Sequence, residues 1–278
     1  SVKFTVDASG LFTDVTADKG YYIEASDDQR SAFIKVTVQD EPISLSLRKV
    51  AEGNQTPLTG AVFSIVPEQG STFADGTDAA ISLRTEGQNG EAILNGKLIC
   101  GGTYTITESH APDGYEVVET ALTIAVDEQG EISIVGTPPE GWTQETTNGF
   151  VATLTDTPIE AQLAKFSLET GKALAGAEFK VTGKFADGTE SKSLVVGDNG
   201  VATFESAQLI GGEIYTIKET KAPEGYELIE TEWQFKVNEN GTLGAVSEPA
   251  VDGAQGYRIA NEGLQILAYD NPVTLTLY

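Results

Sequence analysis

The sequence predicts an all-β protein made of tandem β-sandwiches. Three observations predict it. Short alternating runs rich in Val, Ile, Thr, Tyr and Phe are separated by Asp-Gly, Asn-Gly and Gly-Gly turns. Helical periodicity is scarce, and "DAAISLRTE" (Asp78 to Glu86) is the one ambiguous stretch. The chain also resembles itself. "SLRKVAEGNQTPLTGAVFSIV" from Ser46 is echoed by "AKFSLETGKALAGAEFKV" from Ala164, and "FADGT" occurs at Phe73 and Phe185.

An Asp-x-Pro motif sets the period. It falls at Asp40, Asp156 and Asp270, spaced 116 and 114 residues apart. The repeats are therefore read as 43–158 and 159–272. Residues 1–42 match only the C-terminal part of a repeat, and 273–278 ("VTLTLY") only the first strand of another. The expectation is a piece of a longer, elongated array. Repeats of this length with many short strands suggest β-sandwiches.

Within each repeat the strands are phased by alternation. The first strand places Leu45, Leu47 and Lys49 on one face, and Leu163 and Lys165 in the second repeat. In the middle, "YTITESHAPDGYE" from Tyr104 aligns Tyr104, Ile106 and Glu108, and "YTIKETKAPEGYE" aligns Tyr215, Ile217 and Glu219. Hairpin signals follow in "VDEQG" at Val126 and "VNENG" at Val237, with a third, "VDASG", at Val6. The last strand aligns Phe150, Ala152, Leu154 and Asp156, and in the second repeat Leu264, Ile266, Ala268 and Asp270. Each repeat thus aims one Lys, one Glu and one Asp at its own core, where a hydrophobe is the ordinary occupant.

Lys on the first strand, E-x-x-A-P-x-G-Y in the middle and Asp before Pro at the end resemble the B-type repeat of the collagen adhesin Cna. The same module builds SpaA-class pilins of Gram-positive bacteria. "TPLTGAVFSI" and "KALAGAEFKV" also match the early strand of that family. The resemblance implies Ig-like or transthyretin-like sandwiches and an intramolecular isopeptide bond in each complete repeat. It implies Lys49 joined to Asp156 with Glu108 assisting, and Lys165 joined to Asp270 with Glu219 assisting. The family often has Asn as acceptor; with Asp, water leaves. Asp40 carries the acceptor motif with no donor in the chain. Elementary electrostatics points the same way: burial raises a carboxyl pKa and lowers an amine pKa, toward a neutral nucleophile and a protonated acid. The plainer alternative is a buried Lys–Asp ion pair without a covalent bond.

The resemblance further implies a surface stalk, extracellular and attached to the cell wall through segments outside this chain, whose partners are neighbouring repeats. The alternative is a ligand-binding module. Its loops would be Val66 to Gly90 and "GTPPEGWTQETTNG" from Gly136, with Trp142 as the candidate contact to a host or glycan ligand, unless that Trp packs over the sandwich end. The net charge of −25 argues against nucleic acid and anionic membranes. No apolar run spans a bilayer. With one cysteine and one histidine, neither an internal disulfide nor a Cys/His metal cluster can form. That fits a cytosolic protein, and equally an exported one stabilised by other means. No cofactor or metal is expected, because the Asp/Asn turns lack EF-hand spacing. Nor is an enzyme in the usual sense: Cys100 stands where the other repeat has Gly211, and His110 is read as a solvated loop residue.

Overall fold

The computed structural model describes residues 2–10, 12–18, 21–25, 34–38, 40–147, 149–248, 253–260 and 263–274. It divides into two units, Ser1–Ile43 and Ser44–Tyr278. The first unit contains two hairpins. β1 (Val2–Val6) pairs with β2 (Phe12–Ala17) across the "VDASG" turn, and β3 (Tyr21–Ala25) pairs with β4 (Ile34–Val38). Asp40 follows β4 and is exposed, so it lacks the burial that an inward acceptor needs. The "VTLTLY" end lies outside the described residues from position 275 on.

The second unit holds the same nine-strand pattern twice. In the first copy the strands are β5 (Ser44–Ala51), β6 (Val62–Pro67), β7 (Ile81–Arg84), β8 (Glu91–Asn95), β9 (Thr103–His110), β10 (Leu122–Val126), β11 (Ile132–Ile134), β12 (Trp142–Glu145) and β13 (Phe150–Asp156). One sheet runs β11-β10-β9-β6-β7 and the other β12-β13-β5-β8. The second copy comprises β14 (Gln162–Ser167), β15 (Glu178–Thr182), β16 (Ser191–Val195), β17 (Val201–Thr203), β18 (Ile214–Lys221), β19 (Trp233–Val237), β20 (Leu243–Ala245), β21 (Gly256–Ile259) and β22 (Gln265–Asp270). Its sheets run β20-β19-β18-β15-β16 and β21-β22-β14-β17, the same order position for position. The ambiguous "DAAISLRTE" contributes strand β7.

Most neighbours are antiparallel. The exception in each copy is the pairing of first and last strands: β5 with β13, and β14 with β22, are parallel. A parallel pair must be reached by a long crossover, and here the crossover is the whole body of the sandwich. The predicted alternation is present in the burial. Leu45, Leu47, Ile106, Ala152 and Leu154 are buried, as are Leu163, Ile217, Ile266 and Ala268. Each fully buried Leu or Ile contributes about 1.5–3 kcal/mol by removal from water. Leu264 is the exception. It lies one residue ahead of β22 and is 48% exposed, because the alternation that would turn it inward begins only with the strand.

The two tyrosines that open the repeated motif are fully buried, and their hydroxyls are satisfied. Tyr104 donates to Thr72 O at 2.9 Å and accepts from Ile99 N–H at 3.0 Å. Tyr215 donates to Lys184 O at 2.7 Å and accepts from Ile210 N–H at 2.9 Å. The "FADGT" segments close over them. Phe73 stacks on Tyr104 at 5.5 Å and Phe185 packs on Tyr215 at 5.1 Å, while Asp75 and Asp187 cap their own turns through Thr77 and Thr189. A rigid anchor thus stands four residues before each inward glutamate.

Candidate functional site

Alternation carries Lys49 to the inner face of β5 and Asp156 to the inner face of β13. In the parallel register Lys49 pairs with Leu154, so Asp156 sits one inward position further along the neighbouring strand. The second copy repeats that offset: Lys165 pairs with Ala268, and Asp270 lies two residues on. Glu108 and Glu219 come from the opposite sheets, on β9 and β18. The three side chains therefore meet across the core of each sandwich, and those of both triads are fully shielded from solvent. Lys49 Nζ contacts Asp156 Oδ1 and lies 2.8 Å from Glu108 Oε1. Lys165 Nζ contacts Asp270 Oδ1 and lies 2.9 Å from Glu219 Oε1.

The second oxygen of each glutamate is held by backbone. Glu108 Oε2 accepts from Val118 N–H at 2.9 Å, and Glu219 Oε2 from Ile229 N–H at 2.8 Å. These donors lie just past the A-P-x-G-Y segment, which gives that motif a physical role. Its turn closes through Tyr115 N–H to Pro112 O, and through Tyr226 N–H to Pro223 O. The chain then pairs with the residues after the acceptor, through Glu116 N–H to Thr157 O and Glu227 N–H to Asn271 O. The segment ties the strand that holds the glutamate to the strand that holds the aspartate.

Two carboxylates and one ammonium would leave a net buried negative charge, which is strongly unfavourable unless a proton is taken up. Burial is the largest cause of each carboxyl shift in the two sites. It raises Asp156 despite Lys49, raises Glu108 despite Lys49, and holds Asp270 at about 6 despite Lys165. Asp156 Oδ2 and Asp270 Oδ2 are buried without a hydrogen-bond partner. Burial thus shifts the aspartate of each site from its ordinary value toward the neutral acid.

Several contributors were not visible in the sequence. Phe63 and Phe179, fully or almost fully buried, lie beside the amines, with ring centroids 6.0 and 5.4 Å from Lys49 Nζ and Lys165 Nζ. Each is the Cα partner of the site's glutamate. A β-bulge follows each glutamate, with Ser109 and Thr220 as the extra residues. Their hydroxyls donate to Val62 O and Glu178 O. Bulges commonly re-aim side chains beside functional sites. The recurrence of "GAVF" and "GAEF" was the available signal for the phenylalanines; nothing in the sequence marks the bulges.

Trp142 is 3% exposed, packs on Phe63 and donates from Nε1 to Thr120 O at 3.1 Å. The candidate contact is thus a core residue, because the sandwich interior takes up its large apolar area. His110 is the last residue of β9 rather than a loop residue, and its Nδ1 lies 3.9 Å from Glu239 Oε2. Cys100 is exposed. Among the described residues, no group of three His, Cys, Asp or Glu side chains is arranged to hold a metal ion.

Residues 43–138 and 160–248 each match the model of the SpaA prealbumin-like fold domain. The TIE protein of Bacillus anthracis is 21% identical with a TM-score of 0.42, over 91% of this chain and 41% of that one. A C-terminal fragment of the pilus adhesin SpaC from Lactobacillus rhamnosus GG is 16% identical with a TM-score of 0.48, over 86% of this chain and 100% of that one. The shaft pilin SpaA of the same organism is 15% identical with a TM-score of 0.32, over 85% of this chain and 100% of that one. No curated protein sequence matches significantly.

Proposed function

The chain belongs to the SpaA prealbumin-like domain family, and from that premise we propose that its two repeats, 43–158 and 159–272, are tension-bearing stalk modules of a Gram-positive surface adhesin or pilus-like protein. Each module is closed by a Lys–Asp isopeptide bond. The observation that carries this reading is the duplicated triad: a shielded Lys, Glu and Asp at the same register offset on the same strands in both copies. A structural ion pair has no need of a second carboxyl, and a buried excess acid is costly to keep.

The chemistry follows from the protonation bias. A proton passes from the ammonium to the carboxyl pair, leaving a neutral amine beside a neutral aspartic acid. The lysine Nζ attacks the aspartate Cγ; a C–N bond forms, a C–O bond breaks, and the oxygen leaves as water. Glu108 or Glu219 holds the acid by hydrogen bonding and relays the proton between amine and leaving oxygen. The fixed placement on adjacent strands supplies the effective concentration. The product is a neutral amide, which removes two ionisable groups from the core. The reaction occurs once per repeat, so the protein is not an enzyme that turns over.

The parallel pairing gives the bond its mechanical consequence. Tension enters through the start of β5 and leaves through the end of β13, loading the ladder between those strands in shear. A covalent link from Lys49 to Asp156, 107 positions apart, carries the load past the chain between them, so the body cannot unravel. Residues 1–42 and 273–278 are read as parts of neighbouring repeats. The protein is placed outside the cell, on the bacterial surface. Intact mass of the whole chain tests the proposal: each condensed repeat is lighter by one water, and a chain of full unmodified mass would refute it.

A further inference from the structure

The two sites differ in the aromatic residue set beside the triad from β12 and β21. Tyr257 on β21 pairs with Ala268, and Trp142 on β12 pairs with Leu154, so the two aromatics occupy equivalent places. Tyr257 is 2% exposed, stacked on Trp233 at 5.7 Å and set edge-on to Phe179 at 6.3 Å. Its hydroxyl accepts from the backbone N–H of Glu219 at 3.1 Å. That N–H sits where the bulge at Thr220 interrupts the ladder between β15 and β18. The Tyr257 oxygen thus gives that N–H a partner that reaches it from the opposite sheet. Trp142 offers only a donor, which is used on Thr120 O.

We infer that Tyr257 is a positioning residue for the condensation in the second repeat: by accepting the Glu219 N–H it fixes the bulged backbone from which Glu219 reaches Lys165. This inference rests on the isopeptide reading above. Tyr257 exchanges no proton in the step. The C–N bond forms between Lys165 and Asp270, water leaves, and the phenol keeps its hydrogen throughout. The first repeat, with Trp142 in that place, serves as an internal control.

The test is cell-free synthesis of the full chain with timed quenching, followed by mass analysis of peptides from each repeat. Folding is followed in parallel by fluorescence, since Trp233 stacks on Tyr257. Tyr257→Phe keeps the ring and loses the acceptor. The expected result is about fivefold slower water loss in the second repeat, the effect of one lost hydrogen bond. The first repeat should keep its rate, folding should proceed at the wild-type speed, and the rate–pH profile of the second repeat should depart from its wild-type course. An unchanged rate in the second repeat overturns the inference. So does slowing that merely tracks delayed folding with an unaltered pH profile, which would mark Tyr257 as a packing residue only. Absence of water loss from both repeats of the wild-type chain would instead refute the underlying isopeptide reading.

Discussion

Replacing Lys49 by Met removes the nucleophile and keeps most of the buried aliphatic stem. Two effects follow. The loop closed between Lys49 and Asp156 spans 107 residues, and by the chain-entropy relation used for disulfides a closure of that length stabilises by about 4–5 kcal/mol. The substitution also restores Asp156 as a titrating acid beside Glu108, with no cation near. Only below their ordinary pKa values, where both acids are neutral folded and unfolded, does the pair add nothing, so a measurement near about pH 3.5 isolates the closure effect. For a repeat of this size, 1 kcal/mol shifts the midpoint by about 4 °C, so the first repeat should melt about 15–20 °C lower. Calorimetry of the full chain is the assay, because the second repeat, with Lys165 intact, should keep its transition. The variant chain should also be one water heavier than wild type, after allowing for the substitution. A midpoint within about 3 °C of wild type, or no regained water, would show that no bond closes this loop.

The other predictions concern the same triads and their surroundings. Glu108→Gln and Glu219→Gln should each fold yet keep one extra water, as read by intact mass, because the proton relay is gone while the packing volume is kept. In Glu219→Gln the second repeat keeps a titrating Asp270; burial, the largest cause of its shift, still holds its pKa above the ordinary 3.8, while loss of the Glu219 charge brings it below the value of about 6 it has beside Glu219. A raised acid contributes stability that is complete below about pH 4 and lost as pH rises through its folded pKa, a decline of at most about 3 kcal/mol in urea titrations. A condensed repeat, as proposed for the wild type, has no acid there and should lack that decline. Trp142→Ala should cost about 3–5 kcal/mol of stability, the usual range for emptying a large aromatic site, and Trp142 fluorescence should resist quenching by acrylamide. Neither reducing agent nor Cys100→Ser should move the melting of either repeat, since the exposed thiol joins nothing in the chain.

The period-two alternation made much of this site legible. Lys49, Glu108 and Asp156 are each an inward position on a strand whose other inward residues are apolar, and the second copy repeats them. What alternation cannot reveal is which strands become neighbours. Nothing in the sequence says that β5 and β13 lie side by side and parallel, or that Glu108 approaches from the facing sheet, because both depend on pairings between residues about 50 to 107 positions apart. The phase also fails at strand ends. Leu264 was read as inward from the pattern of β22, and it lies before the strand begins. Trp142 in its Pro/Gly-rich surroundings is open to two readings, a ligand contact or packing over the sandwich end, because local composition describes the loop and is silent about the core that the loop's end enters.

The bulges explain why a motif of ordinary residue types can create an unusual site. Up to Glu108 the strand behaves as a normal ladder, anchored by the bonded hydroxyl of Tyr104. One extra residue, Ser109, then breaks the register. The chain turns through the proline segment and returns Val118 N–H to the glutamate it has just passed. The carboxyl is therefore held from both directions along its own chain before Lys49 and Asp156 arrive from the other sheet. A short local contact forms more readily than a pairing across 107 residues. The preorganised half of the site is thus the glutamate, and the pairing of the first strand with the last completes the triad. On the proposed isopeptide reading, condensation would need a sandwich that has fully closed, and the bond would fix the folded topology without trapping an earlier one.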